Sequence, residues 1–204
     1  MSYLRFATKA RPLVIPDTVS WCIDPIYRPD DDPWFDSFQG FNGIPGGIGT
    51  GVNFLAQGFQ VSAGTSVEVI QVRLGNIAGV QNGAVYLEIV EGDTPAGPVV
   101  ATSSNSVPVN SLNDVSGLVG GENLDATHPM STFTFDTPHV SSGGQLYVVM
   151  RITEPVNTGV PSARLRWGNP CPGGAAWTYS SDEWGILGIG EFEGMGDFEI
   201  RVNP

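Results

Sequence analysis

A single lysine, Lys9, serves a chain of 204 residues, so the Lys-Glu-Ala-Leu alphabet of coiled coils and helical bundles is missing. Charged residues of any kind are scarce, at 15%. Those present are unbalanced: nine basic residues stand against 21 acidic ones, for a formal charge of −12. That excess opposes binding to a phosphate backbone or an anionic bilayer, which excludes nucleic acid and membrane as expected partners. Long apolar runs are also absent, because Gly, Pro or a charge interrupts every window approaching the roughly 18 residues of a membrane span. Met1–Pro12 carries positive charge with no apolar run behind it, so Sec export is not expected and the chain reads as soluble. The only cysteines, Cys22 and Cys171, lie far apart with no CxxC or Cys/His spacing, which argues against zinc. Without export they read as isolated buried thiols rather than a disulfide.

What the chain does have is 27 glycines, 16 prolines and a hydrophobic share of 41%, ample for a packed core. Val, Thr, Ser, Gly and Phe fill the place of the helix formers, and the composition is that of an all-β protein.

The first fifty residues differ from the rest. Pro12, Pro16, Pro25, Pro29 and Pro33, with Asp30, Asp31 and Asp32, suit neither a helix nor a central strand. The segment is too apolar for a plain linker, so residues 1–52 read as an extended arm that wants a surface to lie on, with Trp21, Ile23, Trp34, Phe35 and Phe38 as its contact residues. The glycine-rich stretch Asn42–Gly51 supplies a joint, and the arm–domain boundary is expected near residue 52.

From residue 53 to 204, short strands alternate with turns. Expected strands are Asn53–Val61, Val67–Leu74, Ala84–Val90, Val99–Ser103, Ser131–Asp136, Gln145–Ile152, Ala163–Trp167, Ala175–Tyr179 and Asp197–Val202. In the second, period two puts Val67, Val69, Gln71 and Arg73 on one face and Glu68, Ile70, Val72 and Leu74 on the other; in the third, Val85, Leu87 and Ile89 share a face. Asn82-Gly83 marks a tight turn. Regular spacing without a credible helix predicts an antiparallel β-sandwich, most simply a jelly roll, with residues 104–130 as a polar surface excursion.

The succession LAQGFQV at 55–61, SVEVIQVRLG at 66–75, the stretch 83–107 around EGDTPAGP, STFTFDTPHVSSGGQLYVVMRIT at 131–153, ARLRWG at 163–168 and AAWTYSSDEW at 175–184 resembles the jelly-roll modules of tailed-bacteriophage virion structural proteins and the similar surface and carbohydrate-binding modules of bacteria. Phe133, Phe135, Tyr147 and Val149 occupy matching places. The resemblance covers about residues 53–204 and implies a virion location, with other capsid or tail subunits and further copies of the chain as partners.

Signs of catalysis are few. His128, before Pro129, and His139, after Pro138, read as surface loop residues. The glycine run 43–51 lacks the lysine and following helix of a phosphate loop. Asp182, Glu183, Glu191 and Glu193 read as solvated loop carboxylates rather than a glycosidase pair, and neither Asp30–Asp32 nor Glu91, Asp93 and Asp136 makes a convincing calcium site. No catalytic residue, metal or cofactor is expected, and the chain reads as no enzyme. The aromatic cluster Trp167, Trp177, Tyr179 and Trp184, near Asn169 and Asp182, fits either a core or protein interface, the commoner use of large rings in a sandwich, or a glycan platform. Arg151, Arg164 and Arg166 could meet the acidic arm of another copy. Two functions follow: a structural subunit of a phage particle, decorating the capsid or associated with fibre or tail and fastened by its arm, or a non-catalytic carbohydrate-binding module at a cell surface.

Overall fold

The structure, a computed structural model, describes residues 36–41, 53–77, 82–115, 128–154, 160–167, 174–180, 182–187 and 196–203. The protein is an all-β sandwich, and among the described residues its strands pair antiparallel, with one isolated parallel bridge between Asn76 and Asp114. The strands are β1 (Asp36–Gly40), β2 (Phe54–Gln60), β3 (Ser66–Val72), β4 (Leu74–Ile77), β5 (Ala84–Glu91), β6 (Val99–Thr102), β7 (Val107–Pro108), β8 (Ser131–Val140), β9 (Gln145–Ile152), β10 (Val160–Trp167), β11 (Ala176–Ser180), β12 (Glu183–Ile186), β13 (Gly196–Phe198) and β14 (Ile200–Val202).

One layer is a seven-stranded sheet ordered β12-β11-β2-β9-β5-β6, with β7 also on β5. The other layer pairs β14-β3-β8 and β1-β10-β13, and β4, the continuation of β3 beyond Arg73, pairs with β10. Alternation drives the packing. Val85, Leu87 and Ile89 of β5 and Leu146, Val148 and Met150 of β9 meet Ile70, Val72, Phe133 and Leu165 of the opposite layer in one core, all at 2% exposure or less. Each such side chain contributes roughly 1.5–3 kcal/mol by leaving water. Fully buried Gln57 of β2 spans the layers: its Oε1 accepts from the Phe198 amide at 2.6 Å, and its Nε2 donates to the Gly58 carbonyl at 2.9 Å.

Several expectations change. β1 pairs along β10 from Asp36 opposite Arg166 to Gly40 opposite Ser162, and Phe41 is wholly buried, so the sandwich takes in residues ahead of the boundary expected near 52. Phe38 lies in β1 opposite Arg164, while Trp21, Ile23, Trp34 and Phe35 fall outside the described residues, as do Cys22, Cys171, Asp30–Asp32 and the glycine run after Asn42. Strict period two fails in β3. A register shift between Val67 and Val69, opposite His139 and Thr134, turns Val67 into the core beside Ile70 and leaves Glu68 exposed. The polar excursion is not wholly superficial, because β7, the 3-10 turn Val109–Ser111 and buried Val109 and Val115 belong to it. His128 in the same segment is 6% exposed, with Nε2 3.2 Å from the Asp114 carbonyl, and is no surface loop residue.

The final expected strand breaks in two at Glu199, where three strands meet. The Arg73 amide donates to the Glu199 carbonyl, the Glu199 amide to the Arg164 carbonyl and the Arg164 amide to the Arg73 carbonyl, at 3.0–3.1 Å, closing a ring. The neighbours on either side, Val72 and Leu74, Ala163 and Leu165, Phe198 and Ile200, all belong to the core, so the three charged side chains project from the opposite face of the layer. They are nonetheless buried. Glu199 receives Arg73 through a two-pronged contact, Nε to Oε2 at 2.8 Å and Nη2 to Oε1 at 3.0 Å, and Arg164 Nη1 to Oε2 at 3.3 Å. Arg73 also donates to the His128 carbonyl. Arg164, expected to reach another copy, is thus committed within its own chain.

Candidate functional site: an aromatic groove on the outer sheet face

In β9 the run Leu146–Met150 is apolar without a break, which signals cover on both faces of the strand. Leu146, Val148 and Met150 take the core side, so Tyr147, Val149 and Arg151 face outward. Strand register builds rows of outward residues across the seven-stranded sheet. Trp184 is opposite Tyr179, and Tyr179 opposite Phe54; Ile186 is opposite Trp177, Trp177 opposite Ala56, and Ala56 opposite Val149; Gly58 is opposite Tyr147, and Tyr147 opposite Val90. The small residue Ala56 is covered by the rings packed over it. The result is a groove of about 650 Å³ with Trp177, Tyr179, Trp184 and Phe54 on one side, Val90 and Arg151 beneath, and the turn Thr94–Gly97 opposite.

Each wall is fixed. Tyr147 meets Trp177 edge to face, with ring centroids 6.0 Å apart and planes at 88°. Tyr179 lies 5.6 Å from Phe54 and 5.3 Å from Trp184. Trp177 and Trp184 pack on Ala56, Val90, Tyr147 and Val149 but keep part of their surface in solvent. The opposite wall folds back on itself through a Gly97 amide to Thr94 carbonyl bond of 3.1 Å. A β-carbon at Gly97 would stand 2.7 Å from the Glu91 carbonyl, so only glycine fits. The Tyr147 hydroxyl donates to the Asp93 carbonyl at 2.8 Å and ties this turn to β9. Burial, then the Asp93 charge, push the Tyr147 phenol above its ordinary 10.0.

Arg151 places its guanidinium carbon 4.2 Å over the Phe54 ring and donates from Nε to Glu88 at 2.8 Å, so its charge is answered within the sheet. Burial, then neighbouring Glu88, raise the Tyr86 phenol, against a smaller opposing pull from Arg151. At the mouth, Asp182 and Glu183 are exposed on the hairpin joining β11 and β12, with Asp182 at φ 65°.

Of the four expected aromatics, the structure brings Trp177, Tyr179 and Trp184 together. Trp167 belongs to a strand of the other layer, in β10 opposite Gly196. The three half-exposed rings do not fill the space between the sheets, so the core alternative fails for them. Phe54 and Tyr147 are groove residues that the sequence does not single out, although the unbroken apolar run in β9 points to a second covered face, and Arg151, expected to meet the arm of another copy, lines the groove instead. Asn169, Glu191 and Glu193 lie outside the described residues. Glu91, weighed for calcium, instead accepts from the Ser142 hydroxyl and lies 3.2 Å from His139 Nε2. Among the described residues no three His, Cys, Asp or Glu side chains gather as a metal site. No family model, no curated protein and no solved structure matches the chain.

Proposed function

We propose that the protein is a non-catalytic binding protein that holds a carbohydrate in the aromatic groove. The observation that carries this reading is the set of partly exposed rings Trp177, Tyr179 and Trp184 on the outer face of β11 and β12, held by packing beneath and facing a pinned turn. Sugar rings present C–H faces that stack on aromatic faces and hydroxyls that bond to a polar rim, and a groove of about 650 Å³ has the capacity of ordinary small-ligand sites. Asp182 and Glu183 are consecutive at one hairpin tip, whereas glycoside cleavage needs carboxyls flanking the bond from two sides, which favours binding over hydrolysis. A glycan array tests the reading. The native protein should give a signal that Trp177→Ala and Trp184→Ala each cut by about tenfold or more with folding intact, as expected for an aromatic anchor worth at least 1.4 kcal/mol. A signal unchanged in both variants would place the ligand elsewhere.

A second reading is a structural subunit of a bacteriophage particle, joined to capsid or tail proteins or to its own copies. It is favoured by strand order: β1-β10-β4/β3-β8 against β2-β9-β5-β6 is the arrangement of two interlocked Greek keys, which also supports the jelly-roll form. The two readings are compatible, since a virion surface subunit can carry a glycan groove. Cosedimentation of chains starting at Met1 or at Asp36 with particles lacking the native subunit tests attachment by the arm: loss of incorporation only in the shorter chain is the expected result.

A further inference from the structure

We infer that the groove selects by charge, accepting neutral and amino-sugar chains and rejecting those that carry carboxylates. The inference rests on the reading of the groove as a glycan site. Among the described residues three side chains charged at neutral pH line it: Arg151, Asp182 and Glu183. Arg151 is a poor anchor for a sugar carboxylate, because Glu88 already takes its Nε at 2.8 Å and its guanidinium covers the Phe54 ring. Asp182 and Glu183 stand exposed at the mouth, and among the described residues no cation pairs with either. Asp93, exposed just ahead of the turn Thr94–Gly97, acts by its charge on Tyr147 but does not line the groove. The negative charge at the mouth therefore comes from the β11–β12 hairpin.

The acidic mouth is not demanded by the fold. Asp182 sits in the left-handed region in the two-residue connection between Ser180 and Glu183, a place that asparagine or glycine fills as well. Glu183 is an exposed edge-strand residue with no packing duty. A sugar carboxylate in the groove comes within a Debye length of these groups, which disfavours it by about tenfold at physiological ionic strength. An ammonium on the sugar gains from the same carboxylates and from the faces of Trp177 and Trp184.

The test is calorimetric titration with β1,4-linked tetramers of glucose, glucosamine and glucuronate, which share a backbone and differ in charge. The native chain should bind the glucosamine tetramer tightest and the glucuronate tetramer about tenfold more weakly than the glucose tetramer, and 1 M NaCl should shrink the gaps. In the Asp182→Asn/Glu183→Gln variant, which keeps the turn geometry, the glucose tetramer should bind within about twofold of native while the glucuronate tetramer rises to match it. Equal binding of glucose and glucuronate tetramers by the native chain, or a gap that persists in the double variant, overturns charge selection while leaving the groove as a glycan site. No binding of any tetramer, or binding untouched by Trp177→Ala and Trp184→Ala, overturns both.

Discussion

The two outer faces of the sandwich treat the same kinds of residue in opposite ways. On the layer of β3 and β10, Arg73 and Arg164 converge on Glu199, with side chains at 5% exposure or less. On the seven-stranded sheet, Arg151 and Glu88 pair at 2.8 Å but keep 23% and 17% of their surface in water, beside a groove lined by rings. A buried charge cluster has given up its hydration and depends on its partners staying in place, whereas a half-exposed pair can lose a member and recover water. The first face is closed and structural. The second is open, and its charge pair quiets a cation beside a binding surface.

Starting the chain at Val52 should have the largest effect, since it removes the strand beside β10 and the wholly buried Phe41. A loss of about 3–5 kcal/mol or more in urea unfolding is expected relative to a chain starting at Asp36, by the cost of deleting a buried Phe alone. Equal stability would detach β1 from the closed face. Next, Glu199→Gln should cost about 3–5 kcal/mol, because two buried guanidinium groups lose their counter-charge, while replacing Arg73, Arg164 and Glu199 together by apolar residues of similar size should be far milder. Glu88→Gln on the open face should cost no more than about 1 kcal/mol, and a cost equal to that of Glu199→Gln would erase the contrast. Tyr147→Phe should cost about 1 kcal/mol and loosen the turn at Asp93, seen as faster amide exchange there. The Tyr147 phenol titrates higher in the folded state than in the unfolded one, so its stabilising share is full below about pH 10 and is lost as pH rises through the folded value, which absorbance titration reads directly. The smallest effect belongs to Glu91. Its carboxyl is lowered first by the Ser142 hydroxyl, so its contribution is present above the usual carboxylate range and fades as pH falls through the lowered value; Ser142→Ala should bring that fading to higher pH.

The open face was partly legible in the sequence and the closed one was not. Trp177, Tyr179 and Trp184 are close in the chain, and the apolar run and flanking turns of β9, local signals, mark its span from Gln145 to Ile152. Phe54 and Tyr147 joined the groove only through pairing of distant strands. Trp167, close in sequence to Trp177, lies in β10 of the other layer, a change of layer that closeness in sequence hides. The buried charges were invisible for a related reason. Arg73 reads as the next outward residue of an alternating strand, and its partner Glu199 lies 126 positions away. The fault in β3 at Val67 came from a register shift that no period-two count can anticipate.

The ring of backbone bonds joining Arg73, Arg164 and Glu199 also sets a timetable. During synthesis Arg73 and Arg164 emerge long before Glu199, so the fork remains open until the last of the three leaves the ribosome. Contacts of such sequence separation are reached late and slowly, since a long loop must close before any bond rewards it. Nascent chains halted before Glu199 should therefore expose two arginines without a counter-charge and an unpaired edge on β3, a state suited to chaperone capture, and the closed face becomes complete only once Glu199 has emerged.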